Sequence, residues 1–156
     1  MTDEKIVIGV EREGLISAQM WDGSTWTPVA DLVIATNVND ILHRTLETGR
    51  YEVLGVSPSQ SPSMDIQVSS NFERLLFEIN GGDGGLTAEQ LTAFRRTGRL
   101  DLEPDQRAEY VTGTFRAAAF DDAATIEEIG RVHRDTGMLV DPHTATATAA
   151  ARLLAG

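Results

Sequence analysis

The sequence is organised around residues 138–152, MLVDPHTATATAAAR. A short apolar run, which predicts a strand, ends at Asp141, a residue type that caps helices, and Pro142 suits the first helical position because no amide donor is lost there. His143 and Thr144 then fall in the first turn, where free backbone N–H groups and the positive end of the helix dipole lie. The small side chains that follow let this helix pack closely against a flat surface. Such a polar helix start either only caps the helix or holds an anionic or heteroaromatic ligand.

The composition limits the classes of function. The chain has 156 residues, enough for one domain with a real core. A net charge of -11 disfavours binding to nucleic acid or to anionic membranes, since both need clusters of positive charge. Cysteine is absent, which excludes disulfides and thiol nucleophiles. No apolar stretch approaches the roughly 20 residues of a spanning helix and no signal peptide is evident, so we expect a cytoplasmic protein.

Few side chains are candidates for metal binding or for amine chemistry. The three histidines, His43, His133 and His143, lie far apart, and none has a carboxylate at the spacing of a metal site, so we expect no metal. Of the 13 basic residues, 12 are arginine, and Lys5 is the only lysine.

The first 30 residues have a pattern of their own. Residues 5–10, KIVIGV, and 15–21, LISAQMW, are typical of strands, and Asp22-Gly23 between two tryptophans predicts a hairpin turn. We therefore divide the chain into a β-hairpin or meander of unknown origin (1–30) and a second region (31–156).

The second region begins with a strand and a helix. The continuous apolar run 31–37 is typical of a strand buried on both faces of a parallel sheet. A helix that Asn39 or Asp40 can cap follows, and Gly49 ends it. Residues 57–63, SPSQSPS, predict a loop, and its amides and hydroxyls form either a surface turn or a cradle for an anion.

Helices are expected over most of the remaining chain. Ser69 or Ser70 can cap a helix that runs to Ile79, and Glu73 would complete a capping box. The glycine-rich run 81–85, GGDGG, ends that helix. The further helices predicted are 87–97, capped by Thr87; 104–118; and 122–136, with Ile126, Ile129, Val132 and His133 facing inward.

Three runs in this order carry a family resemblance: LVIATNVNDIL (32–42), SPSMDI (61–66) with SSNFERLLF (69–77), and DPHTA (141–145). Together they resemble threonine synthase, a pyridoxal-phosphate enzyme of the tryptophan-synthase-β fold type. The resemblance covers about residues 31–156 and corresponds to roughly the C-terminal third of a family member. It implies an α/β fold: an incomplete tryptophan-synthase-β-like domain with a partial parallel sheet, mostly helical after residue 66.

The resemblance also implies a chemistry. Family members convert O-phospho-L-homoserine and water to L-threonine and phosphate, a lyase-type reaction on a phosphate ester in threonine biosynthesis. An active-site lysine forms a Schiff base with pyridoxal phosphate, whose ring acts as an electron sink. Thr144 matches the hydroxyl that contacts the pyridine nitrogen. A hydroxyl is a weak partner that leaves this nitrogen largely unprotonated.

The chain departs from the family in its cofactor anchors. The Schiff-base lysine and the glycine-rich phosphate-binding segment of the family find no match here, and Lys5 has none of the surrounding motif. We therefore expect no catalytic residue in this chain, and its substrate-binding residues stay unknown. Ala147 stands where the family usually has glycine.

Three hypotheses for the function follow. The chain is part of a threonine synthase that is active only with the missing half; a non-catalytic truncated or chimeric fragment; or a small-molecule binding module that uses the Thr144 helix and the 57–63 loop for an anion. Because a truncated parallel sheet exposes an unpaired edge, we expect self-association or a need for the missing N-terminal half.

Overall fold

The beginning of the chain forms a small antiparallel sheet. The computed structural model of the protein describes residues 5–10, 16–21, 26–28 and 32–154. The first three ranges are strands β1 (Lys5–Val10), β2 (Ile16–Trp21) and β3 (Trp26–Pro28), paired in the order β1-β2-β3. Trp21 lies opposite Trp26, so the predicted meander is confirmed in its strands. The predicted turn at 22–23 lies outside the described residues.

The range 32–154 alternates between strands and helices. The strands are β4 (Leu32–Thr36), β5 (Arg50–Glu52), β6 (Arg99–Asp101) and β7 (Phe115–Ala119). The helices are α1 (Ile41–Thr48), α2 (Phe72–Ile79), α3 (Gly84–Thr97), α4 (Pro104–Gln106), α5 (Asp122–Thr136) and α6 (Pro142–Leu154). A 3-10 turn (Pro62–Met64) and a π-helical turn (Arg107–Thr112) complete the range. Among these helices, none is long and apolar enough to cross a membrane.

The central sheet of this region is a parallel pair. β4 and β7 run parallel, with Leu32 opposite Phe115 and Thr36 opposite Ala119, which confirms the predicted parallel sheet. The helix predicted over 104–118 is helical as far as Thr112 but wrong at its end, because residues 115–118 belong to β7. The alanines of the segment FRAAA favour a helix locally, and only the hydrogen bonds to β4 make it a strand.

The hydrophobic core lies between α1, α2, α3 and the short antiparallel pair β5–β6. Tyr51 on β5 is 2% exposed and stacks on Phe72 of α2, with ring centroids 4.2 Å apart. Phe94 of α3 lies 4.8 Å from the same ring. Three-residue strands such as β5 and β6 have too little periodicity to be recognised in a sequence.

Helix α1 keeps its predicted boundaries. Asp40 occupies the N-cap position, but its carboxylate accepts from Nε of Arg44 at 2.7 Å and makes no capping bond. Gly49 ends the helix with φ 75°, a left-handed conformation that glycine adopts at low cost.

Helices α2 and α3 begin at residues other than those predicted. The capping box of Ser70 and Glu73 is wrong, because α2 starts only at Phe72 and no side chain caps it. Helix α3 starts at Gly84, three residues earlier than predicted, because the carboxylate of Asp83 accepts the N–H of Leu86 at 2.9 Å. A capping bond of this kind offsets the cost of placing glycine in a first helical turn.

Helix α5 has the predicted bounds, but its inward face is only partly as predicted: Ile129 and Val132 are half-buried, whereas the other two residues face solvent. Ile126 is 57% exposed and His133 is also exposed. Glu128 is buried instead, at 4% exposure, and Nη2 of Arg152 on α6 lies 3.2 Å from its Oε1. An ion pair between two helices therefore overrides the apolar pattern.

Helix α6 packs against β4, β7 and α5. Its buried side chains are all small: Ala145, Thr146, Ala149 and Ala150. This confirms the expectation of close packing on a flat surface. The strand predicted at residues 138–140 is wrong: the structure has no strand there, and Leu139 is 80% exposed.

Candidate functional site

The first turn of α6 is built around the carboxylate of Asp141. Its Oδ1 accepts the N–H groups of His143 at 2.9 Å and Thr144 at 3.2 Å, and its Oδ2 accepts the Thr144 hydroxyl at 2.7 Å. The predicted cap is therefore confirmed, with Pro142 as the first helical residue. The Thr144 hydroxyl, together with these N–H groups, holds the pKa of Asp141 far below its usual range, so the carboxylate stays ionised at neutral pH.

The hydroxyl of Thr144 is exposed, but its hydrogen is already committed. A hydroxyl has one hydrogen and two lone pairs, so while Thr144 donates to Asp141 its oxygen offers only lone pairs to a ligand. To donate to an unprotonated ring nitrogen, Thr144 would have to release Asp141.

His143 joins the same turn to a distant part of the chain. Its Nδ1 lies 3.1 Å from Oδ1 of Asp141, and its Nε2 lies 3.3 Å from the backbone N of Ser63. Two of the three runs that carry the family resemblance, 61–66 and 141–145, thus meet at this imidazole. The two residues in this contact are 80 positions apart in the sequence, and only the tertiary fold brings them together.

The predicted loop 57–63 has its backbone donors occupied. Pro58 and Pro62 have no N–H group, and each of the other five amides donates to a side chain. The pairs are Ser57 to Asn39 Oδ1 (2.8 Å), Ser59 to Asp65 Oδ2 (2.9 Å), Gln60 to Asp122 Oδ1 (2.9 Å), Ser61 to Ser59 Oγ (3.1 Å) and Ser63 to His143 Nε2 (3.3 Å). Two of these acceptors are carboxylates, which repel anions. The arrangement matches a fixed surface loop and offers no cradle for an anion.

Asp65 is the centre of a polar cluster that the sequence analysis missed. Its Oδ1 accepts from Nδ2 of Asn37 (2.8 Å), Nδ2 of Asn39 (2.9 Å) and Oγ of Ser59 (2.6 Å). The hydrogen bond from the Ser59 hydroxyl is the main cause of a lowered pKa at Asp65. Asn37 and Asn39 are 2% and 4% exposed. Both follow the carboxyl end of β4, where α/β proteins place polar site residues, and this position was the available signal.

Two of the cavities among the described residues bear on the position of a ligand site. One of about 210 Å³ is lined by Thr36, Asn39 and Ser63 among others, and so adjoins the polar cluster. A larger cleft of about 810 Å³ lies between α2 and α3, where Leu75, Phe77 and Leu91 contribute to its lining, and Thr144 does not. In the described ranges no three metal-ligating side chains come together.

The chain resembles known proteins over only part of their length. No family model matches it. The threonine synthase of Pseudomonas aeruginosa is 50% identical over 125 residues, which are 80% of this chain and 26% of that protein. The threonine synthase of Schizosaccharomyces pombe is 32% identical over an alignment of 164 positions, which covers 92% of this chain and 32% of that protein. Residues 31–156 are 126 of the 156 residues, so an alignment that covers 92% of the chain reaches into the first 30 residues.

Solved structures agree with the sequence relatives. The pyridoxal-phosphate-bound threonine synthase of Brucella melitensis superposes with a TM-score of 0.78 at 41% identity, over 83% of this chain and 28% of that one. The yeast threonine synthase gives a TM-score of 0.75 at 32% identity, over 81% and 28%. The chain thus spans about a quarter to a third of the length of these relatives. In sequence and in structure, the chain from about residue 31 onward is homologous to the threonine synthases, a family whose cofactor is pyridoxal phosphate.

Proposed function

We propose that residues 31–156 form one side of the pyridoxal-phosphate site of a threonine synthase, which converts O-phospho-L-homoserine and water to L-threonine and phosphate. Thr144 is the partner of the pyridine nitrogen in this proposal. The observation that carries it is the exposed Thr144 hydroxyl, held at a helix N-terminus by Asp141, in a chain homologous to a cofactor-bound threonine synthase.

The described residues fit one end of this cofactor. Thr144 would donate its hydroxyl hydrogen to the unprotonated ring nitrogen, for which it must release the Asp141 carboxylate that holds this hydrogen in the structure. The chain has no lysine after Lys5, so the amine that holds the cofactor lies outside residues 6–156. When bound, the cofactor supplies an electron sink for elimination at the substrate. Residues 31–156 by themselves are therefore expected to be inactive, because no positioned amine is present.

Complementation tests this proposal. The chain is co-expressed with the lysine-bearing N-terminal portion of the Pseudomonas aeruginosa threonine synthase, and cofactor binding and phosphate release are measured. We expect neither from the chain alone and both from the pair. Thr144→Val should weaken cofactor binding and Thr144→Ser should restore it. Thr148→Val, in the same helix, is the control, because Thr148 donates to the backbone of Ala145. Equal effects of Thr144→Val and Thr148→Val would contradict the role of Thr144.

We further infer that the parallel sheet requires a partner. In the described part of the chain β4 and β7 pair only with each other, so each strand has an edge without a neighbouring strand. Val33 on β4 is 42% exposed. Unpaired edges and exposed apolar side chains favour either self-association or docking of the lysine-bearing segment. Sedimentation with and without that segment tests this, and a monomer that unfolds cooperatively by itself would contradict it.

A cytoplasmic location also remains a proposal. It is supported by the expected role in amino-acid biosynthesis. Cell fractionation with an antibody to the chain tests it, and recovery in the membrane or secreted fraction would contradict it.

A further inference from the structure

The contact between His143 and Ser63 defines the state of the imidazole. A backbone N–H only donates, so Nε2 must accept with its lone pair. In a neutral imidazole the other nitrogen then carries the hydrogen, and Nδ1 donates to the Asp141 carboxylate at 3.1 Å. The geometry therefore requires one tautomer, with both ring nitrogens engaged by the protein.

The loop that presents Ser63 is itself fixed from three directions. Asp65 binds it to Asn37 and Asn39 at the end of β4. Asp122, in the first turn of α5, accepts the N–H of Gln60. His143 makes the third attachment, to α6. A loop held by the buried amides of Asn37 and Asn39 and by half-buried carboxylates has one preferred position, which also fixes the position of the residues that it contacts.

We propose that Asp65 and His143 are positioning residues for Thr144: Asp65 holds the loop 57–65 against the end of β4, and His143 joins that loop to the first turn of α6. Thr144 is the next residue after His143, and both share the carboxylate of Asp141. The direction of the Thr144 hydroxyl therefore depends on the polar cluster around Asp65, which holds the loop that His143 contacts. The relevance of this arrangement to catalysis rests on the proposed role of Thr144, whereas the arrangement itself is testable without cofactor.

The first experiment tests the His143 contact in the full chain by NMR. The ¹⁵N shifts of the imidazole at pH 8 should show a lone pair on Nε2 and a hydrogen on Nδ1. His143→Phe removes the acceptor, so hydrogen exchange of the Ser63 amide should accelerate about two- to tenfold, the effect of one net hydrogen bond. His143→Gln should restore the slow exchange, because a glutamine oxygen can take the place of Nε2. The opposite tautomer, or equal exchange in wild type and His143→Phe, would overturn the proposal.

The second experiment tests whether a substitution at Asp65 changes the position of Thr144. Asp65→Asn keeps the shape but turns one acceptor oxygen into a donor, which must then face either the Ser59 N–H or the side chains of Asn37 and Asn39. We expect the Thr144 amide resonance to shift and its exchange to accelerate. Asp135→Asn, on the exposed end of α5, should leave both unchanged.

A destabilised variant separates positioning from general loss of stability. Asp83→Ala removes the N-cap of α3 and should speed exchange throughout the chain without a selective shift at Thr144. If Asp65→Asn has the same uniform effect as Asp83→Ala, the positioning role is wrong. None of these readouts uses cofactor. A positive result here with failed complementation would therefore reject the proposed function alone, and the reverse would reject the positioning role alone.

Discussion

The hydroxyl of Thr144 lies 2.7 Å from Oδ2 of Asp141, and the other oxygen of the same carboxylate accepts the N–H groups of His143 and Thr144. One ionised side chain thus caps the N-terminus of α6 and sets the direction of the hydroxyl that we assign to the cofactor. The helix cap and the candidate site share Asp141 and Thr144, so a substitution at one of these residues alters both.

Acid should remove the contribution of Asp141 to stability. Its pKa is lowered in the folded chain, so the stabilisation is fully present above the pKa of an unfolded aspartate, about 3.9, and is lost as the pH falls below that value. We expect Asp141→Asn to be less stable than wild type at pH 7, and the two proteins to converge towards pH 2. Thermal unfolding measured across this range tests the prediction. A stability difference that does not change with pH would contradict it.

Breaking the ion pair between α5 and α6 should destabilise the chain. Arg152→Met leaves the Glu128 carboxylate buried with Arg131, whose Nε lies 3.4 Å away, as its remaining partner. Because that partner remains, we expect a loss of about 1–3 kcal/mol in the free energy of unfolding, less than for a fully isolated buried charge. Arg134→Met is the control for the loss of an arginine side chain, because Arg134 lies at an exposed position on α5. Urea denaturation measures both, and equal midpoints would contradict the role of the pair.

Two leucines of opposite burial, Leu76 and Leu139, should respond differently to truncation. Leu76 is fully buried in the core, so Leu76→Ala should cost about 2–5 kcal/mol. Leu139 is 80% exposed, so Leu139→Ala should change stability by less than about 0.5 kcal/mol. Chemical denaturation of both variants provides the comparison. A large loss for Leu139→Ala would indicate that the segment before α6 is buried in solution, for example by a partner.

Two glycines at helix ends offer a matched test of backbone strain. Gly49 has φ 75°, and an added Cβ would also lie 3.2 Å from Cδ of Arg107. Gly49→Ala should therefore destabilise the chain by about 1 kcal/mol or more. Gly113 has φ -86° with open space around it, so Gly113→Ala should be neutral or stabilising by a few tenths of a kcal/mol to about 1 kcal/mol. Similar melting temperatures for the two variants would contradict the assignment of strain to Gly49.

Local signals in the sequence predicted the bounds of α5 and the start of α6, where the end residues carry their own chemistry. Helix α5 lies between Asp121, which caps it, and Gly137, which ends it at φ 74°, and its predicted bounds match the structure. The first turn of α6 was predicted in the same way from Asp141 and Pro142. These features depend on neighbours within four residues, so no tertiary contact is needed to form them.

Strand β7 and the polar cluster were not predictable in this way. The segment FRAAA becomes a strand only because β4 supplies hydrogen bonds from more than 80 residues away. Asp65 acquires its partners because the loop folds back on Asn37 and Asn39, a contact that residue type alone does not specify.

By itself the sequence determined the family, the bounds of α1 and α5, the first turn of α6 and the identity of Thr144 as the candidate site residue, since each is encoded in a short contiguous run. Only the tertiary structure decided what these residues contact: that Asp141 takes the hydrogen of Thr144, and that His143 reaches Ser63. The physical reason is that a hydrogen bond depends on distance and direction, and between residues 63 and 143 both are set by how β4, the loop and α6 pack together.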